Sequence, residues 1–334
     1  MTAEETLARL DEFQKPTKDA TLGVRKDAVW LHIPLAVDPA SDGRWVLEIN
    51  HPDLNRIDVL LLQGGKVLQR SVLGTEVPRA QRPLPGRTPA QAFQLEAGQN
   101  YEFLLRVQTR GAMILPITFN TPTGILGRAV NEQMLQGVLT GLALCLIFYS
   151  MAQWYSLREP LFIQYALLTS GSLLYSLHFF GVGQQYLWGH SPWLTSHAVG
   201  LASLMAITGS FLFMSQALEG HNPQSRFLRR MRWGALFTVG LGVAFALDLI
   251  SLKGLAAIIG VINGALPVNF WTLHSFQISA TLDMLLFMRV LGLRTKELHT
   301  KVQHANQQLD AMHSLAHTDP LTGLPNRCGM QIEL

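Results

Sequence analysis

The sequence predicts a multidomain membrane protein: an N-terminal β-sandwich (jelly-roll-like), then an α-helical transmembrane bundle, then a cytoplasmic helix. Three observations predict it. Only 15% of the 334 residues are charged while 48% are hydrophobic, whereas a soluble domain carries about a quarter charged residues. The charges are also unevenly placed, present throughout residues 1–132 and absent from 134–157 and 160–218. Finally, apolar runs are short and alternating in the first third, but later reach the roughly 20 residues that a helix needs to cross a bilayer. A mean hydropathy of +0.20 excludes disorder for most of the chain. A net charge of +3 is too mild to indicate a nucleic-acid partner. Two cysteines, Cys145 and Cys328, supply neither a disulfide framework nor a thiolate zinc site.

Residues 1–128 form the expected extracytoplasmic sandwich. Strands are expected at 29–35, 45–49, 57–62, 66–70, 101–107 and 115–119, separated by turn residues such as Gly64, Gly65 and Gly98. Many short strands with no helical pattern between them indicate a sandwich or jelly roll. Exposed aromatics with cations would be its ligand-binding tools, and Trp30, His32, Arg79 and Arg82 are the candidates. Against that stands the plainer reading of Trp30 as core and of the arginines as loop charges. No catalytic residues are expected, because no paired carboxylates, metal-spaced histidines or nucleophile elbow stand out here.

Residues 130–292 form the expected bundle, with helices at about 134–156, 160–180, 195–218, 233–250, 254–267 and 269–291, the fifth being short for a crossing. Trp188 and Trp193 fall where interfacial aromatics are expected. Arg158, then Arg226, Arg229, Arg230 and Arg232, then Arg289, Arg294, Lys296 and Lys301 mark the cytoplasmic loops, while the loop at 181–194 has no Lys or Arg. The sandwich is therefore expected outside and the C-terminus inside. That orientation needs an odd number of crossings, so either the segment 254–267 fails to cross or one helix is missing. No basic and apolar leader opens the sequence, so the natural start is expected upstream. Asp248, Asp283, His178, His197 and His274 are ionisable groups in or near apolar helices, where they serve a proton or ion path or a helix-packing hydrogen bond.

Residues 293–318 read as a coiled-coil helix. Leu298, Val302, Ala305, Leu309, Met312 and Ala316 are spaced four, three, four, three and four, an a/d seam with polar residues between. The seam is short and includes two alanines, so a loose parallel homodimer is expected.

The string at 317–327, His-Thr-Asp-Pro-Leu-Thr-Gly-Leu-Pro-Asn-Arg, closely resembles the opening signature of GGDEF diguanylate cyclase domains, Asp-x-Leu-Thr-Gly-Leu-x-Asn-Arg. Asp319, Leu321, Thr322, Gly323, Leu324, Asn326 and Arg327 match it. Residues 319–334 would then be the first residues of such a domain, and 293–318 its signalling helix. The catalytic core is absent from this sequence, so magnesium and GTP are expected only for a complete GGDEF domain. With the tail recognised, the whole chain resembles the bacterial seven-transmembrane receptors with diverse intracellular signalling modules. The strings at 30–35, 57–62 and 104–107 resemble their second type of extracellular domain, which implies an outer ligand of carbohydrate type. The resemblance implies a receptor that regulates cyclic di-GMP synthesis. A transporter or channel with an outer binding domain is the alternative from another class, and a non-functional gene fragment is the third reading.

Overall fold

The computed structural model describes residues 3–15, 21–25, 27–84, 86–109, 111–217, 226–252, 254–255, 289, 292–293, 295–309 and 311–312. Two compact units divide the chain, Met1–Thr281 and Leu282–Leu334. The first begins with a short helix α1 (Ala3–Leu7), a 3-10 turn (Leu10–Glu12) and nine strands. These are β1 (Thr21–Val24), β2 (Val29–Ala36), β3 (Arg44–Ile49), β4 (Arg56–Gln63), β5 (Lys66–Leu73), β6 (Ala90–Gln94), β7 (Asn100–Gln108), β8 (Ala112–Ile114) and β9 (Ile117–Asn120). The N-terminal region is thus a β-sheet domain followed by a helical region, the architecture the sequence predicts.

A four-stranded sheet in the order β2-β7-β4-β5 faces a three-stranded sheet in the order β6-β3-β9, while β1 pairs with β8. Alternation decides the faces. Ile57, Val59 and Leu61 of β4 and Phe103, Leu105 and Val107 of β7 bury inward against Leu47, Ile49 and Phe93 of the other sheet. On the opposite face, Leu60, Leu62 and Leu104 are covered by Leu7, Leu10, Phe13 and Trp30. Strands β4 and β7 are covered on both sides, which is why their sequences are almost continuously apolar. The β4–β5 hairpin turns at Gly64 and Gly65, both left-handed at φ 54° and 76°, the arrangement that matches the natural strand twist.

Two strands have weaker sequence signals. Strand β1 follows no alternating run, and β6 (Ala-Gln-Ala-Phe-Gln) has no β-branched residue, yet it pairs with β3 from Glu48↔Ala90 to Arg44↔Gln94. The strand expected at 115–119 is displaced: Pro116 separates β8 from β9, because it has no N–H for a ladder.

The helical region contains α2 (Pro122–Leu157), α3 (Pro160–Phe179), α4 (Val182–Tyr186), α5 (Pro192–Ala217) and α6 (Arg226–Ala246). Of the described helices, α2 and α5 are long and apolar enough to cross a membrane. Helix α2 starts twelve residues before the expected 134, because Thr121 caps it by accepting from the Gly124 N–H and Pro122 occupies its first turn. At 36 residues it is about 54 Å long, well beyond a hydrocarbon core of about 30 Å. Its first three turns, carrying Arg128 and Glu132, form a stalk next to the sandwich. It ends at Arg158, left-handed at φ 55°, whose guanidinium lies over the rings of Tyr155 and Trp154.

Small residues set the helix crossings. A Cβ on Gly171 would lie 2.4 Å from the Ala206 N, and one on Gly209 would lie 2.5 Å from the Leu168 N, so α3 and α5 meet backbone to backbone. Helices α5 and α6 are joined by a buried hydrogen bond of 2.7 Å between the Thr208 and Thr238 hydroxyls. Helix α6 stops at Ala246, earlier than the expected 250, and Asp248 follows in a left-handed conformation at φ 59°. The helices expected at 254–267 and 269–291 fall almost wholly outside the described residues, as do Asp283, His274 and the number of crossings. Trp188 is buried, with its ring against Gly183.

In the second unit, residues 295–309 and 311–312 are helical. Lys301 bonds Glu297 one turn back at 2.7 Å. Val302, Leu309 and Met312 are exposed and Leu298 is half-buried. Ala316 and the 319–334 segment lie outside the described residues.

Candidate functional site

The sandwich rests on one end of α3, opposite the Arg158 turn, and this junction is built from polar groups that the hydrophobic pattern does not reveal. The β3–β4 connection, Asn50 to Asn55, lies against the end of α3. There His178 donates from Nε2 to Asp53 Oδ1 at 3.3 Å. The His51 ring meets Phe179 edge-on at 5.9 Å between centroids, and Trp188 stacks on His178. Gly181, left-handed at φ 73°, brings the α3–α4 backbone so close that a Cβ would lie 2.7 Å from Pro52 Cβ and 2.9 Å from Arg87 Cγ.

Two ion pairs tie the α2 stalk to the sandwich. Arg87 pairs with Glu132 and donates from Nη1 to the Phe180 carbonyl at 3.1 Å, linking the sandwich to α2 and α3 at once. Arg128 pairs with Glu48, whose carboxylate also accepts from the Thr88 hydroxyl at 2.7 Å. Burial pushes the Arg87 guanidinium down to about 10, so it stays charged at neutral pH. Burial likewise holds His51 below the ordinary histidine value; Asp53 opposes that shift and His178 adds to it.

Beside this clamp lies a cavity of about 860 Å³. Asp53, Glu76 and Arg82 line it from the sandwich, and His190, His197 and Asp248 from the helix ends. His197 is held through Nε2 on Asp248 at 3.0 Å, through Nδ1 on the Trp193 carbonyl at 2.9 Å, and by stacking on the Trp193 ring. The volume suits a small ligand, and carboxylates, imidazoles, a guanidinium and hydroxyls suit a polar one. Among the described residues no group of three or more His, Cys, Asp or Glu is placed to hold a metal.

The structure separates the four binding candidates. Arg82 lines the cavity and donates from Nε to the Val77 carbonyl. Trp30 packs under the N-terminal helix, away from the cavity. His32 bonds Glu102 at 2.8 Å on that same face, with Phe13 against its ring. Arg79 falls on a 3-10 turn (Arg79–Gln81), its side chain outside the described residues. His178 and His197, both noted for their apolar setting, prove to be helix-end residues paired with Asp53 and Asp248. The sequence offered no pattern for His51, Asp53, Arg87 and Glu132, which come together from segments up to 81 positions apart in Pro52-flanking loop and stalk.

The site thus combines a β-sandwich, an apolar helical region and a cavity with polar groups at the seam between them. Residues 1–121 match the family model described as 7TMR-DISM extracellular 2. Residues 132–253 match the one described as 7TM diverse intracellular signalling. The two matches support a 7TMR-DISM receptor: a membrane signal-sensing protein with an extracellular domain. No curated protein matches the chain.

Proposed function

We propose that this receptor regulates cyclic di-GMP synthesis by a GGDEF domain joined at its C-terminal end. A polar small molecule, with carbohydrate the class that the extracellular domain suggests, enters the cavity between Asp53, Arg82 and His197 and changes how the sandwich sits on α3. The signalling segment 293–318 carries the change inward as a homodimer through Leu298, Val302, Ala305, Leu309, Met312 and Ala316. The N-terminal domain faces the periplasm or exterior, and the C-terminus faces the cytoplasm of a bacterial inner membrane. Magnesium and GTP belong to the complete GGDEF domain and not to the residues of this chain.

The observation that carries the cyclase reading is the string Asp319, Leu321, Thr322, Gly323, Leu324, Asn326 and Arg327, placed directly after an amphipathic helix. The test is to read the coding frame beyond Leu334 and to assay the whole product with GTP. A GG(D/E)EF loop in frame and cyclic di-GMP as product support it. A different output module, or no GTP turnover from a folded product, sinks the cyclase reading and leaves the receptor intact. In that product Leu309→Lys abolishes crosslinking between copies and regulation by the sandwich; unchanged dimerisation counts against the seam.

A further inference from the structure

The junction holds two histidines, His51 and His178, that do not line the large cavity, and Asp53, which borders both the histidines and that cavity. His51 is buried and its Nδ1 has no hydrogen-bond partner; the same holds for Nδ1 of His178. The two imidazoles come from opposite sides of the seam, His51 from the β3–β4 connection and His178 from the end of α3. A pocket of about 20 Å³ beside His51, bounded by Arg87, Glu132 and Phe179, has room for one water.

We infer that the His51–Asp53–His178 cluster makes the sandwich–bundle junction a sensor of external acidification, closed when both imidazoles are neutral and released when both are protonated.

The charge inventory around His51 gives the direction. Asp53 is on its own connection, Arg87 lies on the segment before β6, Glu132 is on α2, and His178 and the Tyr175 phenol are on α3. Glu132 is already engaged by Arg87. One proton added to the two imidazoles is therefore answered by Asp53. A second finds, among the described residues, only Glu132, which Arg87 already holds, and a buried cation without a partner of its own is costly. The seam can relieve it only by admitting water, which means lifting the β3–β4 connection off α3. Burial of His51 places its protonation below the ordinary histidine range, so the junction stays shut at neutral pH and opens on the acid side. The inference rests on the receptor reading only for its biological meaning; the opening itself is a property of the junction and is independent of the output domain.

The test measures the distance between two spin labels in the full chain in lipid nanodiscs. Labels are attached at Gln69→Cys in the sandwich and Tyr186→Cys in α4, both exposed positions, with Cys145 and Cys328 changed to Ser. At pH 7.5 one narrow distance is expected. On titration to pH 5 a longer, broader population becomes the majority, with a midpoint between about pH 5 and 6.5. His51→Gln and His178→Gln each remove one titrating ring and keep the short distance at pH 5; the pH 7.5 distance of each variant shows whether it is folded. Asp53→Asn removes the answering carboxylate and moves the opening to higher pH. A wild-type distance unchanged down to pH 5 overturns the inference. So does opening at the wild-type midpoint in both folded glutamine variants. Neither result touches the cyclase reading, which the coding frame and GTP assay decide separately.

Discussion

Replacing Arg87 by Met should loosen the junction. The guanidinium side chain is 10% exposed and its partner Glu132 17%, so both have already lost most of their hydration. Removing the cation leaves a largely desolvated carboxylate and takes a donor from the Phe180 carbonyl. Breaking a buried pair costs about 3–5 kcal/mol. The remaining exposure of Glu132, on a stalk that can turn it toward water, reduces this to about 2–3 kcal/mol. The double variant Arg87→Met/Glu132→Met removes both charges and should be more stable than the single one, because no ion remains to be desolvated. Denaturant titration of these two variants and of Glu132→Met in mixed micelles, read by proteolytic release of the sandwich, gives the three values and their coupling. A single variant within about 0.5 kcal/mol of wild type, or a double variant equal to the sum of two singles, would refute the reasoning.

Other outcomes follow from the same structure. Gly181→Ala combines a left-handed backbone with a Cβ 2.7 Å from Pro52 Cβ and should cost at least about 1–2 kcal/mol; an unchanged release midpoint in the same titration argues against close contact there. Gly209→Leu places a side chain where the Leu168 N lies 2.5 Å from a Cβ. It should part α3 from α5 and lower the thermal midpoint in micelles, while Gly137→Leu, which meets nothing within 4 Å, should leave that midpoint nearly unchanged. Stability against pH should carry the sign of His51. Its folded value lies below its unfolded one, so the unfolded chain takes the proton first as pH falls. Its contribution is complete above about pH 6.5 and declines below, by up to about 1.4 kcal/mol per pH unit. Thermal midpoints of wild type and His51→Gln that run parallel between pH 7.5 and 5 contradict this.

The parts of the fold legible in the sequence are those governed by period. Strands β2, β4 and β7 announce themselves because alternation or double-sided burial leaves an apolar signature in a single segment. Helices α2, α3 and α5 do so because each carries a charge-free apolar run too long for a strand. What was not legible depends on partners distant in the chain. Strand β6 exists because β3 offers it a ladder, and nothing in Ala-Gln-Ala-Phe-Gln says so. Helix α2 was expected to begin at 134, where the charges stop. The capping by Thr121 and Pro122 was the better guide, since the stalk needs only a helix and not a membrane. Trp30 and His32 were selected for their chemistry, yet alternation along β2 already put them on the face opposite Val29 and Leu31, where the N-terminal helix covers them.

Arg87 and His51 are single polar residues in loops, indistinguishable in sequence from solvated ones, and only the approach of α3 turns them into a clamp. The clamp also explains why the neighbouring crossing is so tight. A hydrogen-bonded junction moves by discrete rearrangement of a few groups, and such a step is transmitted only if α3 responds as a rigid body. Gly171 and Gly209 give it that rigidity, by letting the α3 and α5 backbones touch without intervening side chains that could absorb the motion. Thr208 and Thr238 extend the coupling to α6 through one buried hydrogen bond. Polar contacts thus sit where the sandwich meets α3, and close backbone contacts between α3 and α5 sit immediately behind them.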